Sequence, residues 1–202
     1  MKPFIRVVYS YFRRVVYATL GISLFLVICA GCSHSGPNSY IRTGIDTSKI
    51  KKVAVFSFHN NTKVTEASSI VTKAFIAGLF ERKKFKIEFP GNVRNFLVSE
   101  RIIVRTGIGL QTIKLMAKRL GVDAVILGEV DEFIGVDDRK RAVIPIVSIR
   151  CRMIGARSGK VLWMAQHDRT GNDYISILDF GKVRSVAALT KKVVGEMIET
   201  MP

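Results

Sequence analysis

The 202-residue chain is poor in the residues from which compact active sites are usually assembled, with three histidines, three cysteines and one tryptophan. His34, His59 and His167 lie far apart, and none stands at metal-ligand spacing from a cysteine, aspartate or glutamate, so no metal centre is expected. No Gly-x-Ser-x-Gly elbow occurs. Gly107-Ile108-Gly109 lacks the further glycine and the preceding strand of a phosphate loop, and reads as turn chemistry. Asp131 and Glu132 are adjacent, so on a regular strand they face opposite sides and make a poor acid–base pair. His59-Asn60-Asn61 follows a strand end, where sites often lie, and reads as a surface loop. The chain is therefore expected not to be an enzyme, with no catalytic, cofactor-binding or metal-ligating residue and no cofactor.

Acidic residues are also scarce. Lys and Arg number 32 against 16 Asp and Glu, a net charge of +16. No acid precedes Cys32, while Lys2, Arg6, Arg13 and Arg14 do, so a chain beginning at Cys32 keeps 16 − 4 = +12. Such a field favours polyanionic partners: phospholipid or lipopolysaccharide headgroups, nucleic acid, or an acidic protein. The four N-terminal cations precede an uncharged run from Val15 to Gly31, marginally short for a membrane span and well suited to a signal-peptide core. It ends in Val27-Ile28-Cys29-Ala30-Gly31-Cys32, which resembles the lipobox of bacterial lipoproteins. Ala30 and Gly31 give a peptidase access to the backbone, and the Cys32 thiol would carry a diacylglyceryl group. Cys29 departs from the pattern, standing where Leu, Val or Ile is usual; it is a small hydrophobe when unreacted. A non-cleaved membrane anchor is the competing reading. Ser33, rather than Asp, after the lipidated cysteine implies the outer membrane by resemblance to Gram-negative sorting.

Cleavage leaves Cys32 and Cys151, so with Cys32 lipidated no intramolecular disulfide is available. Cys151 shares a strand face with Val147, Ile149 and Met153 and reads as an inert core thiol. Residues 33–50, rich in Ser, Gly, Pro and Asn at their start, read as a flexible tether that spans roughly 60 Å stretched and about 23 Å relaxed. The division is thus 1–31 signal peptide, 32–50 lipidated cysteine and tether, and 51–202 a folded domain.

Apolar residues make up 48% of the chain, ample for a core. Val53 to Phe58 is nearly continuous in apolar residues, as in a strand covered on both faces. A helix is expected from near Thr65, which can cap it, with Ile70, Val71, Ala74, Phe75, Gly78 and Leu79 at helical spacing. Phe85–Phe89 reads as a strand stopped by Pro90-Gly91, followed by helices over 92–100 and 110–120, the latter closed by Gly121. Strands are expected over 123–133, 143–156 and 161–167, joined by a charged turn at 137–141 and a hairpin turn at Gly159. The last helix is expected over 180–201.

Three segments carry a family resemblance: Lys52-Val53-Ala54-Val55-Phe56-Ser57-Phe58, Leu120-Gly121-Val122-Asp123-Ala124-Val125-Ile126-Leu127-Gly128, and Ala156-Arg157-Ser158-Gly159-Lys160-Val161-Leu162-Trp163. In this order they resemble the CsgG family, which includes the curli secretion protein and the LpoB activators of peptidoglycan synthases. The resemblance covers roughly residues 51 to 170. It implies an α/β fold, a single compact domain with a mixed β-sheet flanked by helices, in which the matched residues are structural.

The curli pore builds its barrel from two long hairpins, and this chain has no room for them. The connection after Phe133 is about ten residues and the one between His167 and Phe180 is twelve, against 9–11 residues for each membrane strand. The expected function is a non-catalytic, lipid-anchored accessory protein on the periplasmic face of the outer membrane, with a cell-envelope protein partner. That partner would act in outer-membrane assembly, secretion or peptidoglycan synthesis. An oligomeric component of a curli-type apparatus is the alternative, and the ring of the curli protein makes homo-oligomerisation plausible by resemblance. A membrane-anchored nucleic-acid-binding module is a second alternative. No nucleic acid is expected, given the export signal and the lack of a recognisable motif. Arg139-Lys140-Arg141, Arg150 and Arg152 are expected to touch the membrane.

Overall fold

The computed structural model describes residues 16–17, 36–44, 46–103, 108–136, 142–176 and 178–202. The chain divides into two units, Met1–Ser35 and Gly36–Pro202. Of the first, Val16 and Tyr17 are described, both helical; Cys32, His34 and the signal-peptide reading lie outside the described residues. No described helix is long and apolar enough to cross a membrane.

The second unit is an α/β domain on a seven-stranded mixed sheet. Its strands are β1 (Asn38–Ile41), β2 (Lys52–Val55), β3 (His59–Asn60), β4 (Lys86–Ile87), β5 (Ala124–Val136), β6 (Ala142–Gly155) and β7 (Val161–Thr170). Their order is β1-β7-β6-β5-β2-β4, with β3 also paired to β5. β2 runs parallel to β4 and β5, while β5, β6, β7 and β1 are successively antiparallel. The helices are α1 (Ala67–Arg82), α2 (Pro90–Ser99), α3 (Leu110–Leu120) and α4 (Val186–Glu199).

The near-continuous apolar strands have the physical cause expected of them, because both faces are covered where β2 and the start of β5 run. On one face Val71, Phe75 and Leu79 of α1 join Leu189, Val193, Met197 and Ile198 of α4 over Val53, Val55, Ile126, Ile149 and Met153. On the other, Val93 and Phe96 of α2 and Ile113 and Met116 of α3 cover Ala54, Val125, Leu127 and Ile154. β7 alternates instead: Trp163, Ala165, His167 and Arg169 are buried and Met164, Gln166 and Asp168 exposed. That is the period-two pattern of a strand with one open face.

Several expectations need correction. The tether reading of 33–50 fails from Asn38 onward, since β1 pairs with β7 from Asn38↔Gln166 to Ile41↔Trp163. The folded domain therefore begins before Lys51. Thr65 does not cap α1; Glu66 holds the cap position without a side-chain bond. β4 ends at Ile87, short of the expected 85–89 strand, and Pro90 opens α2 ahead of the expected start at Asn92, at a position where its missing N–H costs nothing. The last helix starts at Val186 rather than near Phe180. Leu178, Asp179 and Gly181 all have positive φ, and the Ser185 side chain caps the helix by accepting from the Ala188 N–H. Gly121 takes the left-handed C-cap of α3, and Gly159 has φ +67 in the hairpin turn, both as expected. The charged turn at 137–141 lies outside the described residues.

Candidate functional site

α2 and α3 cover only part of their face of the sheet. Beyond them β5, β6, β7 and β1 present a surface that no described helix covers, and its composition follows from register, because directly opposed residues in antiparallel strands share a face. One row runs from Leu127, still buried under α2 and α3, through Arg152 to Met164 and Tyr40. The next runs Glu129, Arg150, Gln166, Asn38, and the third Glu132, Ser148, Asp168. Met164 and Tyr40 are 46% and 45% exposed, which leaves an apolar strip at the sheet edge.

The polar rows are bonded to one another. Arg150 Nε donates to Asp131 Oδ2 at 2.6 Å and its Nη2 to Asp131 Oδ1 at 2.8 Å, a bidentate fork. The same Nη2 lies 3.3 Å from Glu129 Oε2. Asn61 Nδ2 donates to Asp131 Oδ1 at 2.9 Å from the loop after β3. The Arg150 hydrogen bonds hold the Asp131 carboxyl below its ordinary range, burial opposes them, and Asn61 adds to the lowering. The Arg150 guanidinium is raised in turn, chiefly by Asp131. Ser148 Oγ donates to Asp168, whose other oxygen accepts from Gln166 Nε2 at 3.3 Å. Leu127, Gly128, Arg152, Met164 and Gln166 line a shallow hollow of about 140 Å³ beside these rows.

Asp131 and Glu132 do not face opposite sides. β5 carries one extra residue between Val130, which pairs with Ile149, and Glu132, which pairs with Ser148. This bulge turns both carboxylates to the open face. Nothing in the local sequence announces it. Asp131 is committed to Arg150 and Asn61, so the two acids still do not form a free pair.

The His59 cluster separates. His59 and Asn60 pair with Glu129 and Val130 in parallel register. Asn60 Oδ1 accepts from the Thr62 N–H at 3.0 Å, a loop-closing role, while Asn61 joins the open-face network. Gly107 and Arg139-Lys140-Arg141 lie outside the described residues. Arg150, read as a membrane contact, has its charge matched by Asp131 and Glu129. Cys151 is buried, and burial pushes its thiol well above the ordinary range. Among the described residues no group of His, Cys, Asp and Glu could hold a metal ion.

A second polar cluster, missed in the sequence, sits inside. His167 on β7 bonds the Glu196 carboxylate on α4, and Arg169 Nε lies 3.6 Å from the same carboxylate. Burial raises the Glu196 carboxyl, but bonds from His167 and Tyr174 and the charges of His167 and Arg169 outweigh it, leaving it below the ordinary range. The Tyr174 hydroxyl is pushed up by burial and by Glu196. Lys192 Nζ stands 4.6 Å from the Tyr174 ring centre. His167 is only 4% exposed while the Glu196 side chain is 27% exposed, so the cluster fastens α4 to the sheet from its inner edge.

No family model and no curated protein matches the chain. Solved structures do. PelC from Paraburkholderia phytofirmans, a dodecamer, is 14% identical with a TM-score of 0.53, over 80% of this chain and 93% of that one. Lipoprotein GNA1162 from Neisseria meningitidis is 18% identical with a TM-score of 0.48, over 74% and 99%. The LpoB C-terminal domain from Salmonella enterica is 11% identical with a TM-score of 0.47, over 59% and 82%. At these identities the likeness is one of fold: this chain folds as a mixed-sheet α/β domain similar to that of PelC.

Proposed function

We propose that the protein is a lipid-anchored accessory protein of the cell envelope, of the CsgG and LpoB kind without the pore hairpins. It faces the periplasm from the outer membrane and binds a protein partner with the open face of its sheet. It catalyses no reaction and takes no cofactor. The observation that carries the reading is the set of three side-chain rows on β5, β6, β7 and β1 that the described helices leave largely open. An apolar strip beside a rigid, internally bonded polar lattice is the make-up of a protein-recognition surface. The lattice side chains are already fixed, so little ordering entropy remains to be lost on binding. The lipobox-like segment at Cys32 supports the location.

A second reading is self-assembly. PelC, which has the similar fold, is a dodecamer, and β1 is an edge strand of four exposed residues that a second copy could extend.

A photo-reactive side chain placed at Met164 or Gln166 in cells tests both readings. The proposal expects discrete heavier adducts from these positions and none from Lys191 on α4. Adducts at the mass of two chains would favour self-assembly, and equal labelling from Lys191 would contradict the assignment of the face.

A further inference from the structure

At the end of the sheet where β2, β4 and β5 begin, α1 runs out into Arg82-Lys83-Lys84-Phe85-Lys86. From Lys83 on they border an open groove of about 650 Å³, whose lining among the described residues includes Phe80, Lys51, Lys83, Lys84, Lys86 and Pro202 and no aspartate or glutamate side chain. Lys51, Lys83 and Lys86 are exposed, and among the described residues none of their ammonium groups forms an ion pair, while the Lys51 backbone N–H donates to Asp123 Oδ2 at 3.0 Å. Neighbouring cations differ: Arg82 is paired with Glu199 and Lys49 with Asp46. Lys84 Nζ is tied to the Met201 carbonyl at 2.5 Å.

The backbone adds a second observation. Lys83 is the C-cap of α1 with φ +52, in the left-handed region that glycine enters freely and a lysine does not. A cation is held where the backbone alone favours another residue. One turn earlier Phe80 is 51% exposed, an aromatic ring in the same groove as the exposed lysines.

Lysines on apolar stems around an exposed aromatic fit the interfacial layer of an anionic bilayer, with ammonium groups on phosphates and the ring at headgroup depth. The chain length brings that layer close. Only six residue steps separate Cys32 from Asn38 in β1, a reach of about 20 Å when fully stretched. We infer that this groove docks on the phosphate headgroups of anionic phospholipids in the membrane that holds the anchor. The inference rests on the lipid-anchor reading of Cys32. The strands then stand end-on to the bilayer, and the open face looks along the membrane surface toward a partner.

The test is amine acetylation of the full-length membrane-extracted protein, reconstituted in vesicles of phosphatidylglycerol or of phosphatidylcholine and read lysine by lysine by mass spectrometry. Lys51, Lys83 and Lys86 are expected to react at least about fivefold more slowly on the anionic vesicles, a factor that one lysine's attraction supplies. Lys191 is expected to react equally on both, and high salt to abolish the protection. The double variant Lys83→Gln, Lys86→Gln should lose the protection at Lys51. Equal rates on the two vesicle types would overturn the inference. So would protection by a DNA duplex on neutral vesicles equal to that by anionic lipid, because the groove would then be a nucleic-acid surface. The N-terminal peptide of the same digest reports whether Cys32 is acylated, so a missing anchor and a failed docking are read separately.

Discussion

Phe58 closes over Gly128 so tightly that a Cβ on Gly128 would lie 2.6 Å from Phe58 Cζ, with two further ring carbons nearer still. The ring is backed in turn by Phe75 of α1, with centroids 5.2 Å apart at an interplanar angle of 50°. The glycine of the Ala124-Val125-Ile126-Leu127-Gly128 run is therefore a packing requirement, and it fixes where α1 sits on β5. Gly128→Ala is expected to cost about 1–3 kcal/mol through overpacking. That lowers Tm by about 2–4 °C per kcal/mol in a domain of this size, and a thermal melt monitored by circular dichroism checks it.

Asp131 and Arg150 form the rigid centre of the open face. The Arg150 side chain is 49% exposed, so the pair is worth only about 0.2–1 kcal/mol to the fold. Arg150→Ala should leave the thermal melt nearly unchanged while removing the partner adduct formed from Gln166. Loss of both together would mean that the lattice serves the fold alone.

The Glu196 cluster gives the fold an acid dependence with a definite sign. Its carboxyl lies below the ordinary value of 4.5 in the folded chain, so in that range the unfolded chain binds more protons than the native one. The stabilisation is complete above the ordinary value and fades as pH falls through the depressed folded value. Glu196→Gln should flatten the stability curve below about pH 4.5 and, by leaving the buried Arg169 and His167 less well matched, cost about 1–3 kcal/mol at neutral pH. Urea melts between pH 3 and 7 read both effects.

Cys151 is buried beneath α4, its thiol raised by burial. Maleimide labelling of the acylated protein is expected to track unfolding in urea and to be negligible in the native state. Prompt native labelling would contradict the burial of this strand face.

The elements most legible in the sequence were those defined by local chemistry. Gly121 and Gly159 mark a helix end and a turn because only glycine takes their backbone freely, and Val53–Phe56 declares a covered strand by composition. β1 was missed because all four of its residues are exposed, so no apolar pattern separates Asn38–Ile41 from the Ser, Gly and Pro before it. The bulge at Asp131 was missed because register is set by the partner strand, and it alone decides that Asp131 and Glu132 share a face. Contacts such as Trp163 Nε1 to Thr200 Oγ1 at 3.0 Å, or His167 to Glu196, join residues about thirty or more apart. Single-residue chemistry gives no sign of such pairs.

Anchoring at Cys32 is the claim on which the periplasmic setting, the short reach of the tether and the use of the open face all depend. The direct measurement is intact-mass and N-terminal peptide mass spectrometry of the protein extracted from its host membranes, beside Cys32→Ala. The account predicts an N-terminus at Cys32 carrying a diacylglyceryl group, and an uncleaved, unacylated chain for the variant. An intact Met1 end without lipid on the unaltered protein would contradict it.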